Sequence, residues 1–357
     1  MNMTLTADLT ELVRESLGDP RAEIAEQRVE PIHHPTHMLS TAGLYRVRGT
    51  TTAGRAWSFV VKSVQSVKHW PGLDTVPEAL RADFVAGFPW RTDVDVYLAD
   101  EPLPAGLRLP RLHRLDDLGE DRLVMWLEDV DARQDRWDIG RYRTAARLLG
   151  ELAAARRVGD PGPDLGLHAI YQGPISHLFL PAFADEAIWR HPLMPGPDDP
   201  LRTDLLTMAD FIPEVLETLA RLPRTRCHGD ASPANLLVPL DDSAEFVAID
   251  WSWGTPTAVG FDLGQLLVGQ FHDGVGDPAE LPAIHSTILE AYTTALGGDP
   301  EQVMLGYVGA LTIRSLWMAL PIERLSDEPG PELADLFRKR VALARFITGL
   351  ARRYGFA

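Results

Sequence analysis

The chain has 357 residues, enough for two domains or for one large domain built of two parts. Hydrophobic residue types make up 45% and charged types 24%, which are ordinary globular values and exclude a disordered or collagen-like chain. The 51 acidic residues outnumber the 34 basic ones and give a formal charge of −17, so the surface repels nucleic acids and anionic lipids. We therefore expect no nucleic-acid partner and no membrane partner, and a surface that attracts cations.

The sequence also indicates a cellular compartment. Its single cysteine, Cys227, cannot form an internal disulfide, which favours a reducing environment. Residues 1–17 mix acids with apolar residues and lack the basic-then-apolar order of a signal peptide. The long uncharged stretch at residues 165–184 contains two prolines, two glycines and two histidines, so it does not read as a membrane span. We expect a cytoplasmic protein.

The first third of the chain has the pattern of β-strands. Residues 44–49 alternate between apolar and polar types, residues 50–55 are rich in turn formers, and residues 57–62 resume a β-rich run. This order predicts a hairpin. Residues 91–99 fit a helix or a strand, and the apolar run at 123–127 is typical of a buried strand.

The rest of the chain is predominantly helical in pattern. Apolar residues recur at helical spacing in five segments, residues 141–156, 205–222, 278–296, 304–320 and 332–354. A short β-rich stretch at residues 231–251 interrupts them. Together, these patterns predict an α+β, bilobal fold, with a small strand-rich N-lobe at residues 1–126 and a larger helical C-lobe at residues 127–357.

The strongest local motif is His228-Gly229-Asp230-Ala231-Ser232-Pro233-Ala234-Asn235. Its spacing places the carboxylate of Asp230 on a loop and the amide of Asn235 at the start of the next strand, so that both can point into one cleft. A carboxylate that orients a hydroxyl and an amide oxygen that binds Mg²⁺ suit phosphoryl transfer. Asp250 ends the following apolar strand and supplies an anionic metal ligand. The alternative is an Asx-turn at Asp230 and a strand-ending Asp250 with no shared role.

With these motifs the chain resembles the aminoglycoside phosphotransferase and choline kinase family, small-molecule kinases with a protein-kinase-like fold. The similarity extends from about Ser40 to about Leu267 and is weakest in the C-terminal helices. It implies that ATP binds to the N-lobe and that the acceptor binds to helices and loops of the C-lobe.

The resemblance also implies a role for each matched residue of the C-lobe. Asp230 becomes the catalytic base, and His228 supports the backbone of the same loop. Asn235 and Asp250 hold Mg²⁺. Asp262, in Gly-Phe-Asp-Leu, anchors the catalytic loop as a structural residue.

The nucleotide-binding residues are expected in the N-lobe. Lys62 ends an apolar run, where its charge would be desolvated unless it met an anion such as the ATP phosphates, although an edge-strand lysine that reaches solvent is the alternative. Ser40, Thr41 and Gly43 lie just before the hairpin, and their small side chains let backbone N–H groups approach phosphate. This segment is not a Gly-x-Gly-x-x-Gly loop, so the phosphate contacts are predicted only to within a few residues.

Two further nucleotide contacts follow from the resemblance. It implies an acidic partner for Lys62 on a small-lobe helix, where Asp93 aligns best and Glu78 or Asp95 are alternatives. Asp is one methylene shorter than the Glu of the family. Leu127 and Asp129 fall at the interlobe hinge, so their backbone is expected to meet the adenine edge.

Two other patterns compete with these assignments. His33, His34 and His37 have a spacing that can bind zinc, but without a nearby cysteine loop histidines are the better interpretation. Cys227 precedes His228, but adjacent strand residues point to opposite faces, so we expect a buried thiol and not a Cys-His nucleophile pair.

The expected function is ATP- and Mg²⁺-dependent phosphorylation of a small-molecule hydroxyl, on a cationic antibiotic or amino sugar. The acid-rich residues 323–335 would favour an amine-bearing acceptor, or they are simply a solvated acidic surface. One alternative acceptor is a metabolite such as choline, an amino-acid alcohol or a ketosamine. A catalytically silent nucleotide-binding module is the alternative from another class.

Overall fold

A computed structural model describes residues 9–32, 39–76, 78–99, 101–159 and 165–356. The chain divides into two compact units. The first unit comprises Met1–Glu101 and Leu109–Asp131, and the second comprises Pro102–Arg108 and Ala132–Ala357.

The first unit is built on a five-stranded antiparallel sheet with strand order β1-β2-β3-β6-β5. Its strands are β1 (Ile24–Pro31), β2 (Thr41–Thr51), β3 (Ala56–Gln65), β5 (Leu112–Gly119) and β6 (Arg122–Glu128). Its helices are α1 (Leu9–Leu17), α2 (Glu78–Gly87) and α3 (Thr92–Leu98). The predicted hairpin is β2 and β3, and the segment that fitted either a helix or a strand forms α3.

Both faces of this sheet are covered, which explains the uninterrupted apolar run of β6. Side chains alternate between the faces of a strand. Val124 and Trp126 therefore pack with α1 residues in one core cluster, whereas Met125 and Leu127 pack with Val94 of α3 in the other. The same alternation places Lys62 of β3 on the α3 side of the sheet.

The second unit is mainly helical. Its helices are α4 (Ile139–Ala155), α5 (Leu165–Ile170), α6 (Leu180–Ala184), α7 (Glu186–Trp189), α8 (Pro200–Arg221), α9 (Asp262–His272), α10 (Leu281–Leu296), α11 (Pro300–Ala310) and α12 (Pro331–Arg353). Two segments are π-helical, Tyr171–Phe179 between α5 and α6 and Leu311–Ser315 directly after α11. The five predicted helices correspond to α4, α8, α10, α12 and the run of α11 into the second π-helical segment. Within the described residues, no helix is both long enough and apolar enough to cross a membrane.

Two small sheets lie in the second unit and carry the motif residues. Strands β4 (Leu107–Arg108), β10 (Phe246–Ala248) and β9 (Leu236–Leu237) form one sheet, and β11 (Pro256–Ala258), β8 (Arg224–Arg226) and β7 (Arg157–Val158) form the other. The catalytic-loop motif starts just after β8 and ends just before β9. Asn235 precedes β9 and Asp250 follows β10, so the two predicted metal ligands lie at the same end of this antiparallel pair.

Candidate active site

Asp262, the first residue of α9, holds the backbone of residues 228–235, the predicted catalytic loop. Its carboxylate accepts the backbone N–H of His228 at 3.1 Å and that of Gly229 at 2.7 Å. Burial raises the pKa of Asp262, while the nearby His228 and the two amide donors favour the charged form. A carboxylate that accepts two N–H groups fixes the direction of both peptides. This is the geometry that an anchor of the loop requires.

Gly229 has a left-handed backbone conformation, with φ of +85°. A Cβ atom added at this position would lie 1.9 Å from the carbonyl oxygen of Trp253. Only glycine therefore satisfies both the conformation and the close approach.

His228 is fully buried and lies inside the loop that it was predicted to support. Its ring nitrogen Nδ1 accepts the backbone N–H of Asp230 at 3.2 Å. Its ring packs on Trp251, with the ring centroids 4.4 Å apart. The imidazole thus contacts the loop backbone, whereas its neighbour Cys227 is buried with Sγ 3.0 Å from the Thr257 hydroxyl.

Asp230 and Asn235 are joined directly. The amide nitrogen of Asn235 donates to the backbone oxygen of Asp230 at 2.9 Å and to its carboxylate oxygen Oδ2 at 3.0 Å. The amide nitrogen is therefore committed to Asp230, and the amide oxygen of Asn235 is the atom suited to a metal ion. The side chain of Asp230 is 24% exposed, so a hydroxyl compound can reach it.

The β9-β10 pair places Asn235 beside Asp250. Leu236 pairs with Ala248, and the N–H of Ile249 donates to the carbonyl of Asn235 at 2.9 Å, which extends the ladder by one step. Asp250 then leaves the strand with φ of +58°.

The backbone conformation of Asp250 is itself unusual. The other non-glycine residues with positive φ among those described, Glu120, Asp121 and Asp242, lie in the short connections from β5 to β6 and from β9 to β10. Such connections commonly contain left-handed residues. A strained residue outside a hairpin connection is a reason to expect a functional role for Asp250.

These residues fit a magnesium ion better than a zinc ion. No group of three His, Cys, Asp or Glu side chains among the described residues could hold a metal. Asn235 and Asp250 offer two oxygen ligands, and Mg²⁺ characteristically takes one or two protein oxygens together with phosphate oxygens and water. The three histidines that could bind zinc, His33, His34 and His37, lie outside the described residues.

Arg314, in the second π-helical segment, contacts the catalytic loop and was not predicted from the sequence. Its Nη2 atom is 2.8 Å from Oδ1 of Asp230, and its Nη1 atom donates to the carbonyl of Gly229. A detectable signal was present, because Arg314 is the only charged residue in the run from residue 302 to residue 322. A lone charge within an apolar run that is predicted to be buried needs a partner.

In the first unit, Lys62 forms an ion pair with Asp93 of α3. Their side chains are only 10% and 7% exposed, so the lysine is desolvated as its apolar neighbours predict. Of the two alternatives, Asp95 pairs with Arg91 at 3.4 Å and Glu78 lies on α2. The shorter Asp side chain reaches Lys62 because α3 packs directly on the face of the sheet to which Lys62 points.

The predicted phosphate-binding segment belongs to a strand. Thr41 and Gly43 lie in β2 and pair with Val64 and Ser63 across a bulge at Ala42. The sequence pattern places these residues just before the strand. They lie within it because β2 begins at Thr41, three residues before the apolar alternation starts at residue 44. Ser40 is buried next to the strand, and its carbonyl accepts the N–H of Gln65.

The two residues predicted to lie at the hinge, Leu127 and Asp129, are found at the end of β6. Leu127 is paired on both sides, with Val60 of β3 and with Leu112 of β5. The carboxylate of Asp129 accepts Arg46 Nε at 2.8 Å and the hydroxyl of Ser58, so this end of the strand is fixed to β2 and β3.

The acidic stretch at residues 323–335 is partly neutralised. Asp327 pairs with Arg324, and Asp335 pairs with Arg338 and with Lys339. A cationic ligand would therefore meet fewer free carboxylates there than the sequence suggests.

Comparisons with known proteins extend the structural result. No family model and no curated protein matches the sequence. Among solved structures, a microcompartment-associated aminopropanol kinase matches with a TM-score of 0.51 and 13% identity, over 97% of this chain and 99% of that chain. An amicoumacin kinase in complex with AMP-PNP, Ca²⁺ and Ami matches with a TM-score of 0.48 and 13% identity, over 95% and 94% of the two chains. An aminoglycoside phosphotransferase from Alicyclobacillus acidocaldarius matches with a TM-score of 0.48 and 14% identity, over 94% and 93%.

The first of these matches confirms the predicted fold. The chain has the α+β, protein-kinase-like fold found in small-molecule kinases, with a β-sheet N-terminal region and a helical C-terminal region. The three matched proteins are named as two kinases and a phosphotransferase.

The glycine of the catalytic loop gives a test of this geometry. We expect Gly229→Ala to lower the free energy of unfolding by at least about 3 kcal/mol, because it adds a steric clash to the backbone strain. Gly54 is the matched control, since its φ of +78° is close to that of Gly229 but no atom lies within 4 Å of an added Cβ. Gly54→Ala should cost only about 1–2 kcal/mol. Urea unfolding of both variants measures the difference, and equal losses would contradict the assigned contact with Trp253.

Proposed function

We propose that this protein is an ATP- and Mg²⁺-dependent kinase that phosphorylates a hydroxyl group of an amine-bearing small molecule. The observation that supports the proposal most strongly is the set of hydrogen bonds around Asp230 together with its exposure. Its carboxylate is held at both oxygens, by Arg314 and by Asn235, yet remains partly exposed at the start of the loop that leads to the metal-ligand pair. Nucleotide binding is assigned to residues 1–126, and catalysis and acceptor binding to residues 127–357.

Asp230 acts on the acceptor hydroxyl. Its carboxylate takes the hydroxyl proton as the acceptor oxygen forms a bond to the γ-phosphorus of ATP. The bond from that phosphorus to the bridging oxygen breaks, and ADP leaves with its electron pair. His228 and Asp262 keep the backbone of Asp230 in place during this transfer.

Asn235 and Asp250 are the residues that would hold Mg²⁺. The ion, when bound, neutralises charge on the phosphate oxygens and keeps the transferred group in line. The protein contributes one neutral and one anionic oxygen ligand, fixed by adjacent positions of the β9-β10 ladder.

Lys62 is assigned to the nucleotide phosphates. Its ion pair with Asp93 stabilises the ammonium group at a buried position, where little water can reach it. In the kinases that the chain resembles, the corresponding lysine contacts the α- and β-phosphates.

The acceptor is proposed to carry an amino group for two reasons. The net charge of −17 favours the approach of cations. The kinase whose structure matches with a TM-score of 0.51 is named for aminopropanol, an amino alcohol. The ion pairs at residues 323–335 weaken the contribution of that stretch, so the overall field is the stronger of the electrostatic arguments.

Removal of the base tests the catalytic assignment. We expect Asp230→Asn to reduce kcat at least about 100-fold while MgATP binding is retained, because the proposed base is lost and the residues assigned to MgATP are unchanged. The assay measures ADP release with a panel of aminoglycosides, amino alcohols, choline and ketosamines, beside uncharged sugars. Asp210→Asn, an exposed carboxylate on α8, is the control and should behave as wild type. A fully active Asp230→Asn would rule out the base, and MgATP binding without turnover on any acceptor would favour a silent nucleotide-binding module.

The metal assignment has its own matched pair of variants. Asp250→Asn keeps the side-chain shape and tolerates positive φ but removes the charge. We expect the Mg²⁺ concentration for half-maximal activity to rise at least about tenfold. Asp242→Asn is the control, because Asp242 has nearly the same φ, +52° against +58°, and is exposed in the connection between β9 and β10. An unchanged Mg²⁺ requirement in Asp250→Asn would contradict the assignment.

A further inference from the structure

Arg314 is a buried charge that none of the predicted roles uses. The residue is only 7% exposed and lies in the π-helical segment Leu311–Ser315. Burying a guanidinium is costly unless it is paired and hydrogen-bonded. Single-turn π-helical segments are frequent at functional sites, so the location itself calls for an explanation.

The contacts of Arg314 converge on two successive residues of the catalytic loop. One nitrogen donates to the carbonyl of Gly229 and the other pairs with Oδ1 of Asp230 at 2.8 Å. The guanidinium lies 4.7 Å from the ring centroid of Trp253 and 5.7 Å from that of Phe261. Both the fork and the plane of the guanidinium are therefore fixed.

The hydrogen bonds to its two oxygens determine how the carboxylate of Asp230 is oriented. Arg314 holds Oδ1 and the amide of Asn235 holds Oδ2 at 3.0 Å. Each carboxylate oxygen can accept more than one hydrogen bond, so both retain capacity for an incoming hydroxyl. Asp262 already holds two backbone N–H groups of the loop, and Arg314 adds contacts to the carbonyl of Gly229 and to the side chain of Asp230.

We propose that Arg314 is a positioning residue, which orients the carboxylate of Asp230 toward the acceptor hydroxyl. This inference rests on the proposed kinase function. Misplacement of a reacting group by about 1 Å can cost on the order of 100-fold in rate. Loss of the Arg314 contacts therefore lowers kcat far more than it changes the binding of the acceptor or of MgATP.

Arg340 provides a matched control. It is buried to nearly the same extent, 8% exposed, and donates to the backbone carbonyls of Ala319, His272 and Met318. Its hydrogen bonds go to backbone carbonyls and none of them to Asp230. Arg340→Met therefore reports what the loss of a buried arginine does to folding alone.

The experiment measures kcat, acceptor KM, MgATP affinity and Tm for wild type, Arg314→Met, Arg314→Lys and Arg340→Met. We expect Arg314→Met to lower kcat by about 10- to 100-fold with little change in acceptor KM or MgATP affinity. Arg314→Lys keeps the charge but not the fork, so its kcat should lie between those of Arg314→Met and wild type. Arg340→Met should lower Tm and leave the kcat of the folded protein unchanged.

A double variant separates positioning from a general structural effect. If Arg314 acts through Asp230, adding Arg314→Met to Asp230→Asn should cause no further loss of kcat. Full kcat in Arg314→Met, or an independent further loss in the double variant, would overturn the inference. If Arg314→Met does not fold, Arg314→Lys tests the inference instead. An unchanged kcat in Arg314→Lys overturns the inference, and a loss of kcat of at least about fivefold with unchanged acceptor KM supports it.

The same assay distinguishes failure of this inference from failure of the proposed function. Wild-type protein that binds MgATP but transfers phosphate to no acceptor overturns the kinase function and the role of Arg314 with it. Wild-type turnover combined with a fully active Arg314→Met overturns the role of Arg314 alone.

Discussion

The pair of hydrogen bonds from the His228 and Gly229 amides to the buried carboxylate of Asp262 is the constraint on which the candidate site depends. It fixes the loop backbone at the start of α9, and the left-handed conformation of Gly229 lets the chain pass against the carbonyl of Trp253. The side chain of Asp230 then emerges in one direction. A buried acid with a raised pKa is tolerable here because two amide donors stabilise its charge.

The remaining chemistry is positioned by regular secondary structure. One antiparallel ladder places Asn235 and the strained Asp250 at adjacent positions, and strand alternation directs Lys62 toward α3 and Asp93. The positions of Lys62, Asn235 and Asp250 thus follow from the two-residue period of a strand or from the register of a ladder.

The sequence predicted those parts of the molecule in which local pattern decides the outcome. The β2-β3 hairpin, the buried run of β6 and the long helices follow from apolar periodicity, and the spacing from Asp230 to Asn235 pointed to the loop. The pattern did not reveal Arg314, because its contacts with Asp230 bridge 84 residues and depend on how the segment after α11 packs against the loop. It left the partner of Lys62 open, since the choice among Asp93, Asp95 and Glu78 is made by the packing of α3. It also placed the start of β2 too late, because small and hydroxyl residues in a strand resemble a loop.

The net charge of −17 belongs to a protein that is proposed to bind ATP, one of the most anionic of common metabolites, so the local field at the site must differ from the average. Under the proposed function, Lys62 and a bound Mg²⁺ would each offset the charge of the nucleotide, and the anionic surface would favour a cationic acceptor. The most direct test is ³¹P NMR of the protein with ATP, Mg²⁺ and one amine-bearing acceptor at a time. We expect a new phosphomonoester resonance, with ADP, that requires both the acceptor and Mg²⁺. Tight MgATP binding with no phosphomonoester formed from any acceptor would contradict the proposed function.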